Sequence, residues 1–435
     1  MESGQITLPP LAWYENRFYF GHVSSHLSTT SRPRPAPLDF DPYDHRVQDD
    51  PYPVYARLRR EQPLYHNVEH DFWVLSRHAD VTAAIRSDGA YSNAMGVSLD
   101  RSAWGPYAHT AMSFLAMDPP RHPRLRSLVS KGFTPKRVAL LEPRIQQLTD
   151  RYLAGAMPAG GAVSFDWIAG FAGKLPMDVI SELMGVPEPD RAEVRRLADL
   201  LVQREDGLRD VPEAGIAASL TLFEYYREHV ARRHREPTED LTTALLHAEA
   251  DGDRMSDDEI IAFLFMMVVA GNETTTKLLG NALYHLTARP ALRDRVFADE
   301  ALVPPWIEET LRYDNSTQLV ARHLVRDVTV DGVTAPAGAK LLLAYGSANR
   351  DETVFPGADE YDLDRPREQL GQILSFGGGR HFCLGSSLAR LEARVALTTL
   401  VRRARLVEVD HAECVRFYSS NVRGFAHVPV RVEVR

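Results

Sequence analysis

From Ser256 to Pro290 the 435-residue chain carries a helix signal that leaves few folds open. Ser256-Asp257-Asp258-Glu259 reads as a capping box, with acidic residues placed at the positive end of the helix that follows. The apolar run Ile260 to Ala270 comes next. It is too short to cross a bilayer, and its lack of a polar face predicts a helix buried on all sides in a large domain. With helical signal to Ala288 and Pro290 as the stop, this helix reaches roughly 45 to 50 Å at 1.5 Å per residue, enough to cross the whole molecule. At 44% hydrophobic and 25% charged, the chain has ordinary globular material for the layer such an element needs around it.

Inside that helix, Ala270-Gly271-Asn272-Glu273-Thr274-Thr275 puts a glycine and polar groups where packing alone would choose leucine. Such an interruption costs stability and so points to function. Gly271 and Thr274 are three apart and share a face: the glycine would clear room for a small diatomic ligand, and the hydroxyl would hydrogen-bond to it. Glu273 would relay protons. Taken alone, the same residues also fit a kink with capping threonines.

A second landmark is Phe376-Gly377-Gly378-Gly379-Arg380-His381-Phe382-Cys383-Leu384-Gly385. Consecutive glycines describe a tight loop whose backbone lies close against a neighbour. Leu384, Leu388, Leu391 and Val395 then recur at helical spacing, which puts Cys383 at a helix N-terminus, where the dipole and free amides favour a thiolate. Neither a second cysteine nor a close pair of histidines accompanies it, so a zinc site is poorly supported, whereas one thiolate suits haem iron. The pattern Phe-Gly-x-Gly-x-His-x-Cys-x-Gly resembles the signature of the cytochrome P-450 haem-thiolate monooxygenases.

That resemblance extends from about residue 40 to the C-terminus and implies a mainly α fold with a small β part and a long central helix over the haem. It implies an irregular leader over residues 1–38 and a haem domain over 39–435. The implied cofactor is haem b, iron protoporphyrin IX, with Cys383 as axial ligand and Phe376 shielding the thiolate face. Gly377, Gly385 and Ala270 complete the expected haem surround. His122 and Arg126, four apart and so on one helix face, would hold one propionate, with Arg322 and His381 holding the other carboxylate. The resemblance makes Thr274, Glu273 and Gly271 the oxygen-activation motif, and Met95, Leu319, Val320 and Val422 the substrate pocket. Glu309, Arg312 and Arg365 are assigned to architecture.

The implied reaction is hydroxylation or epoxidation of a small apolar organic substrate with O2. Electrons would come from a ferredoxin and its reductase, docking on Lys131, Lys136, Arg137, Arg380, Arg390 and Arg394. Oxidative aromatic coupling, peroxide-driven oxidation and a non-catalytic haem sensor stay open beside it. A net charge of -9 argues against nucleic-acid binding, and two cysteines suit a reducing interior. With no secretion signal or membrane span in view, a cytoplasmic monomer is expected.

Elsewhere, Pro33, Pro35 and Pro37 favour an extended leader. Ordered structure is expected from Pro51. Residues 64–66 and 72–75 read as a hairpin, residues 92–117 as a long adaptable loop, and residues 140–250 as packed helices. Residues 328–330 and 340–343 read as strands of one small sheet, and residues 420–425 as a further pocket loop.

Overall fold

The central helix runs from Asp257 to Thr287, 31 residues and about 46 Å at 1.5 Å per residue. Its capping box is formed: Glu259 N donates to Ser256 Oγ at 3.2 Å, and Ser256 N donates to Glu259 Oε2 at 3.0 Å. In this computed structural model residues 38–435 are described, apart from Asp88, Ala159 and Asp251. The expected leader, up to Pro37, lies outside the described residues.

Every residue from Ile260 to Val268 is buried, with helices packed around the central one except where it faces a cavity. One half packs against Met177, Ile180, Leu222 and Tyr226, and the other against Trp167, Trp306 and Leu397. The surrounding helices are Leu175–Met184, Arg191–Val202, Glu213–Arg235, Val303–Tyr313 and Ser386–Arg403. The fold is mostly helical with small sheets, as expected. Regular structure begins before Pro51, with the His45–Asp49 helix.

Strands Leu64–Asn67 and Phe72–Leu75 form the predicted antiparallel hairpin. Lys340–Ala344 lies parallel to Phe72–Leu75 and antiparallel to Leu319–Leu324, and Tyr91–Ser92 closes this five-stranded sheet. Val328–Val330 instead pairs with Val333–Ala335 in a separate ribbon, which corrects the expectation of one sheet. A parallel neighbour needs a long crossover, so the pairing of Lys340–Ala344 is decided far away in sequence. The same is true of Ala162–Asp166, a strand within a region expected to be helical, whose partner is Pro429–Val434.

The excursion from residue 92 to 117 contains short helical turns at Arg101–Ala103, His109–Met112 and Ser113–Ala116 rather than an unbroken loop. Its ends are joined where Asn93 N donates to Asp118 Oδ1 at 3.0 Å. Further on, Arg312 Nη2 lies 2.7 Å from Glu309 Oε1 and Arg365 Nε 3.2 Å from Glu309 Oε2. Arg312 also donates to the carbonyls of Asn349, Ala358 and Glu360, tying the Val303–Tyr313 helix to the chain that precedes the cysteine loop.

Candidate active site

A cavity of about 870 Å³ lies between the central helix, the cysteine loop, the 97–115 excursion and the strand Leu319–Leu324. Cys383 opens onto it. The loop is closed by Cys383 N donating to Phe376 O at 3.0 Å. Gly377 and Gly379 have φ of +64° and +58°, and a Cβ on Gly379 would lie 2.7 Å from the Ile85 carbonyl oxygen. The close neighbour implied by the glycines is therefore, at Gly379, the backbone of the His78–Arg86 helix.

Gly385 occupies the N-cap of the helix Ser386–Arg403, so Cys383 sits just ahead of the helix rather than within its first turn. Burial pushes the Cys383 thiol up, and this outweighs the opposing amide hydrogen bond from Gly385 and the charges of Arg126 and Arg390. Phe376 and Gly377 line the cavity beside Cys383; Gly385 does not.

Two arginines and two histidines gather at one part of the cavity wall. His122 and Arg126 stand one turn apart on Arg121–Ser130, and the rings of His122 and His381 are 4.2 Å apart between centroids. Arg126, Arg322 and His381 line the cavity, while His122 stands behind His381. Arg126 Nη2 donates to Phe382 O at 2.7 Å and Arg322 Nη1 to Ala321 O at 2.8 Å. Buried His122 Nε2 and His381 Nδ1 have no hydrogen-bond partner. Burial, then the charges of His122, Arg322, Arg126 and Arg380, pushes His381 down to about 2. His122 is pushed down to about 4 by burial and by Arg126 and Arg380, with Asp118 opposing least.

On the facing wall, Ala270, Glu273 and Thr274 line the cavity. Thr274 Oγ1 donates to Ala270 O at 2.8 Å. Gly271 does not face the cavity: a Cβ there would lie 3.3 Å from Ile180 Cγ1, so this glycine admits the Leu175–Met184 helix instead of a small ligand. Glu273 Oε2 lies 3.0 Å from Lys277 Nζ, a pair buried on both sides. The spacing of four residues made Lys277 legible in the sequence, though it was not singled out.

Of the expected substrate contacts, Val320 and Val422 line the cavity. Leu319 does not: strand side chains alternate, and this one packs with Phe40, Tyr55 and Phe72. Met95 also lies off the lining, its carbonyl accepting from Gly105 N at 2.9 Å, whereas Val97, Trp104 and Met112 are on it. The Asp100–Arg204 ion pair, 2.6 Å apart and buried, lines the same cavity. Sequence reading missed it because the partners meet only through the fold. Among the expected docking residues, Arg390 is engaged by Glu308 at 2.6 Å and Arg394 by Glu142 at 2.8 Å. Lys131, Lys136 and Arg137 are exposed.

A sequence model of the family described as Cytochrome P-450 matches residues 208–433. A Mycobacterium tuberculosis protein provisionally named cytochrome P-450 123 is 55% identical over 399 residues, covering 92% of this chain and 98% of its own. The vitamin D(3) 25-hydroxylase of Pseudonocardia autotrophica is 38% identical over 394 residues, covering 89% and 94%. A solved cytochrome P-450 from Chondromyces apiculatus superposes with a TM-score of 0.80 at 34% identity, covering 92% of this chain and 99% of that one. Among the described residues, no helix is long and apolar enough to cross a membrane.

Proposed function

The chain belongs to the cytochrome P-450 family, and from that premise we propose that it inserts one atom of O2 into a small apolar organic substrate, by hydroxylation or epoxidation. The observation that carries this reading is one cavity with a lone cysteine on its wall and, beside it, Arg126, Arg322 and two histidines with buried ring nitrogens left without a partner. Haem b fits that cavity on the chemistry of its donors. Its carboxylates would supply negative charge to Arg126 and Arg322 and acceptors to the orphaned ring nitrogens of His122 and His381. Held through Cys383, the haem supplies an electron-rich iron suited to oxygen activation.

The remaining chemistry belongs to this chain's own groups, on residues 39–435 as the haem domain. His122 braces His381 from behind, Phe376 and Gly377 cover the cysteine side, and Ala270 faces the open side. Because Thr274 Oγ1 directs its proton at Ala270 O, its lone pairs are free to accept from a cavity group. Glu273, the next residue back, is the acid that replaces a proton there. Val97, Trp104, Met112, Val320 and Val422 exclude water and select an apolar substrate. The relative named a vitamin D(3) 25-hydroxylase supports the same class.

Electrons would arrive from a ferredoxin and its reductase, with Lys131, Lys136 and Arg137 as the docking charges and exposed Phe382 beside Cys383. Lys136→Glu with Arg137→Glu should slow ferredoxin-supported reduction several-fold at low ionic strength and less at high; an unchanged rate would reject this face. The main test is the absorption spectrum of the reduced protein with carbon monoxide. A strongly red-shifted Soret band, lost in Cys383→Ala, is expected. A band at the position of histidine-ligated haem would overturn the reading in favour of a sensor.

A further inference from the structure

The cavity acid Glu273 does not end its hydrogen-bond chain at Lys277. Asn272 Nδ2 lies 3.1 Å from Glu273 Oε1 and 3.5 Å from Asp199 Oδ1, so one side-chain amide holds a second carboxyl beside the first. Asp199 belongs to the helix Arg191–Val202, which packs across the central helix and brings together residues 73 apart in sequence. The two carboxyls differ in access. The Glu273 side chain is 3% exposed and lines the cavity, whereas that of Asp199 is 37% exposed and does not. The exposed part of Asp199 is therefore not part of the cavity wall.

Resting on the reading of Glu273 given above, we propose that Asp199 is the outer station of the proton supply, passing protons from solvent to Glu273 and acting only through it. The step moves one proton and no electrons. Asp199 in its acid form gives its proton to a Glu273 carboxylate oxygen, and the resulting Asp199 carboxylate takes a proton from solvent water. Asn272 holds the two carboxyls in place and is not itself protonated.

The charges at this junction set where the proton rests. Lys277 and Glu273 come from the central helix, and Arg195 Nε lies 4.0 Å from Asp199 Oδ2 on its own helix. Of the other neighbouring helices, Leu175–Met184 sends Asp178 and Glu182 to Arg191, and Glu213–Arg235 sends Tyr225 to Asp190. Burial, then the Glu273 charge, pushes Asp199 up to about 8. For Glu273, burial acts upward but is outweighed by Lys277, and its carboxyl is held below the ordinary range. At neutral pH the proton shared by this pair thus rests on Asp199, which stores it, and its uphill transfer to the Glu273 carboxylate is drawn forward only when a proton is consumed in the cavity. Two facing carboxyls with divergent affinities are the arrangement that lets one store what the other uses.

The test uses the haem-loaded protein. Infrared difference spectra between pH 6 and pH 10 should show a protonated-carboxyl stretch that shifts in D2O, with a midpoint near 8. Asp199→Asn should abolish that band and Asp199→Glu should retain one. NADPH-driven turnover with a ferredoxin system should fall about tenfold in Asp199→Asn, less than the roughly 100-fold or more expected for removing a general acid itself, with more NADPH ending as hydrogen peroxide. Asp199→Glu should recover turnover. Persistence of the band in Asp199→Asn, or wild-type turnover and peroxide yield in that variant, would overturn the proposal. The reduced carbon monoxide spectrum, recorded on the same samples, separates this failure from failure of the haem reading.

Discussion

Two buried charged clusters in this molecule contain similar residues and have opposite bookkeeping. Around Glu309, both carboxylate oxygens meet arginine donors, and Arg312 and Arg365 spend their remaining donors on backbone carbonyls. Around His381, by contrast, Arg322, Arg126 and Arg380 all press the same way on one ring, and ring nitrogens of His122 and His381 are left without a partner. A closed cluster holds the fold; an open one, with surplus charge of a single sign beside a cavity, is arranged for a ligand of the other sign.

Breaking the closed cluster should have the largest effect. Arg312→Leu leaves Glu309 buried and short of its main partner, a situation that costs roughly 3 to 5 kcal/mol. Urea unfolding should show that loss, together with poor recovery of folded protein, and a midpoint within error of wild type would deny the cluster its structural role. The open cluster should answer differently. Arg322→Leu should leave the stability of the haem-free chain nearly equal or higher, since Arg322 is a buried charge with no carboxylate partner among the described ion pairs. Retention of haem should weaken by about tenfold to a hundredfold, the equivalent of one charged hydrogen bond of roughly 1.5 to 3 kcal/mol. Transfer of haem to a scavenging globin measures this; an equal loss of stability in both forms would erase the contrast.

The smallest effect is in pH dependence. His122 is held down at about 4 from an ordinary 6.5 in the folded chain. The unfolded chain therefore takes up its proton first as pH falls. The stability contribution is fully present above 6.5 and is lost progressively as pH falls towards about 4. Carboxylates seated at Arg126 and Arg322 would reverse the field on this histidine. The melting temperature of the haem-free protein should consequently fall more steeply between pH 6.5 and 4.5 than that of the loaded protein, and His122→Gln should remove most of the difference. Parallel slopes before mutation would show that His122 does not sense the ligand charge.

Legibility followed the range of the interaction. The capping box at Ser256, the hairpin at residues 64–75 and the one-turn pair of His122 and Arg126 could be read because each depends on residues a few positions apart. Gly271 was misread for a related reason: its place in a polar interruption was visible, but the neighbour its missing Cβ lets approach is Ile180, on another helix. Leu319 and Val320 show the finer case. Their position beside the cavity was anticipated, yet which of the two faces it depends on strand phase, and phase is set by pairing with Lys340–Ala344.

By itself, the sequence determined the helix that crosses the molecule, the loop that presents Cys383 and the residue types available to a thiolate-bound cofactor, because these are written in local spacing and backbone preference. Only the tertiary structure decided that Asp199 meets Asn272, that Arg204 meets Asp100, and that Arg390 and Arg394 are already engaged by glutamates. Desolvation and charge pairing depend on what surrounds a group in three dimensions, and spacing along the chain carries almost no information about that.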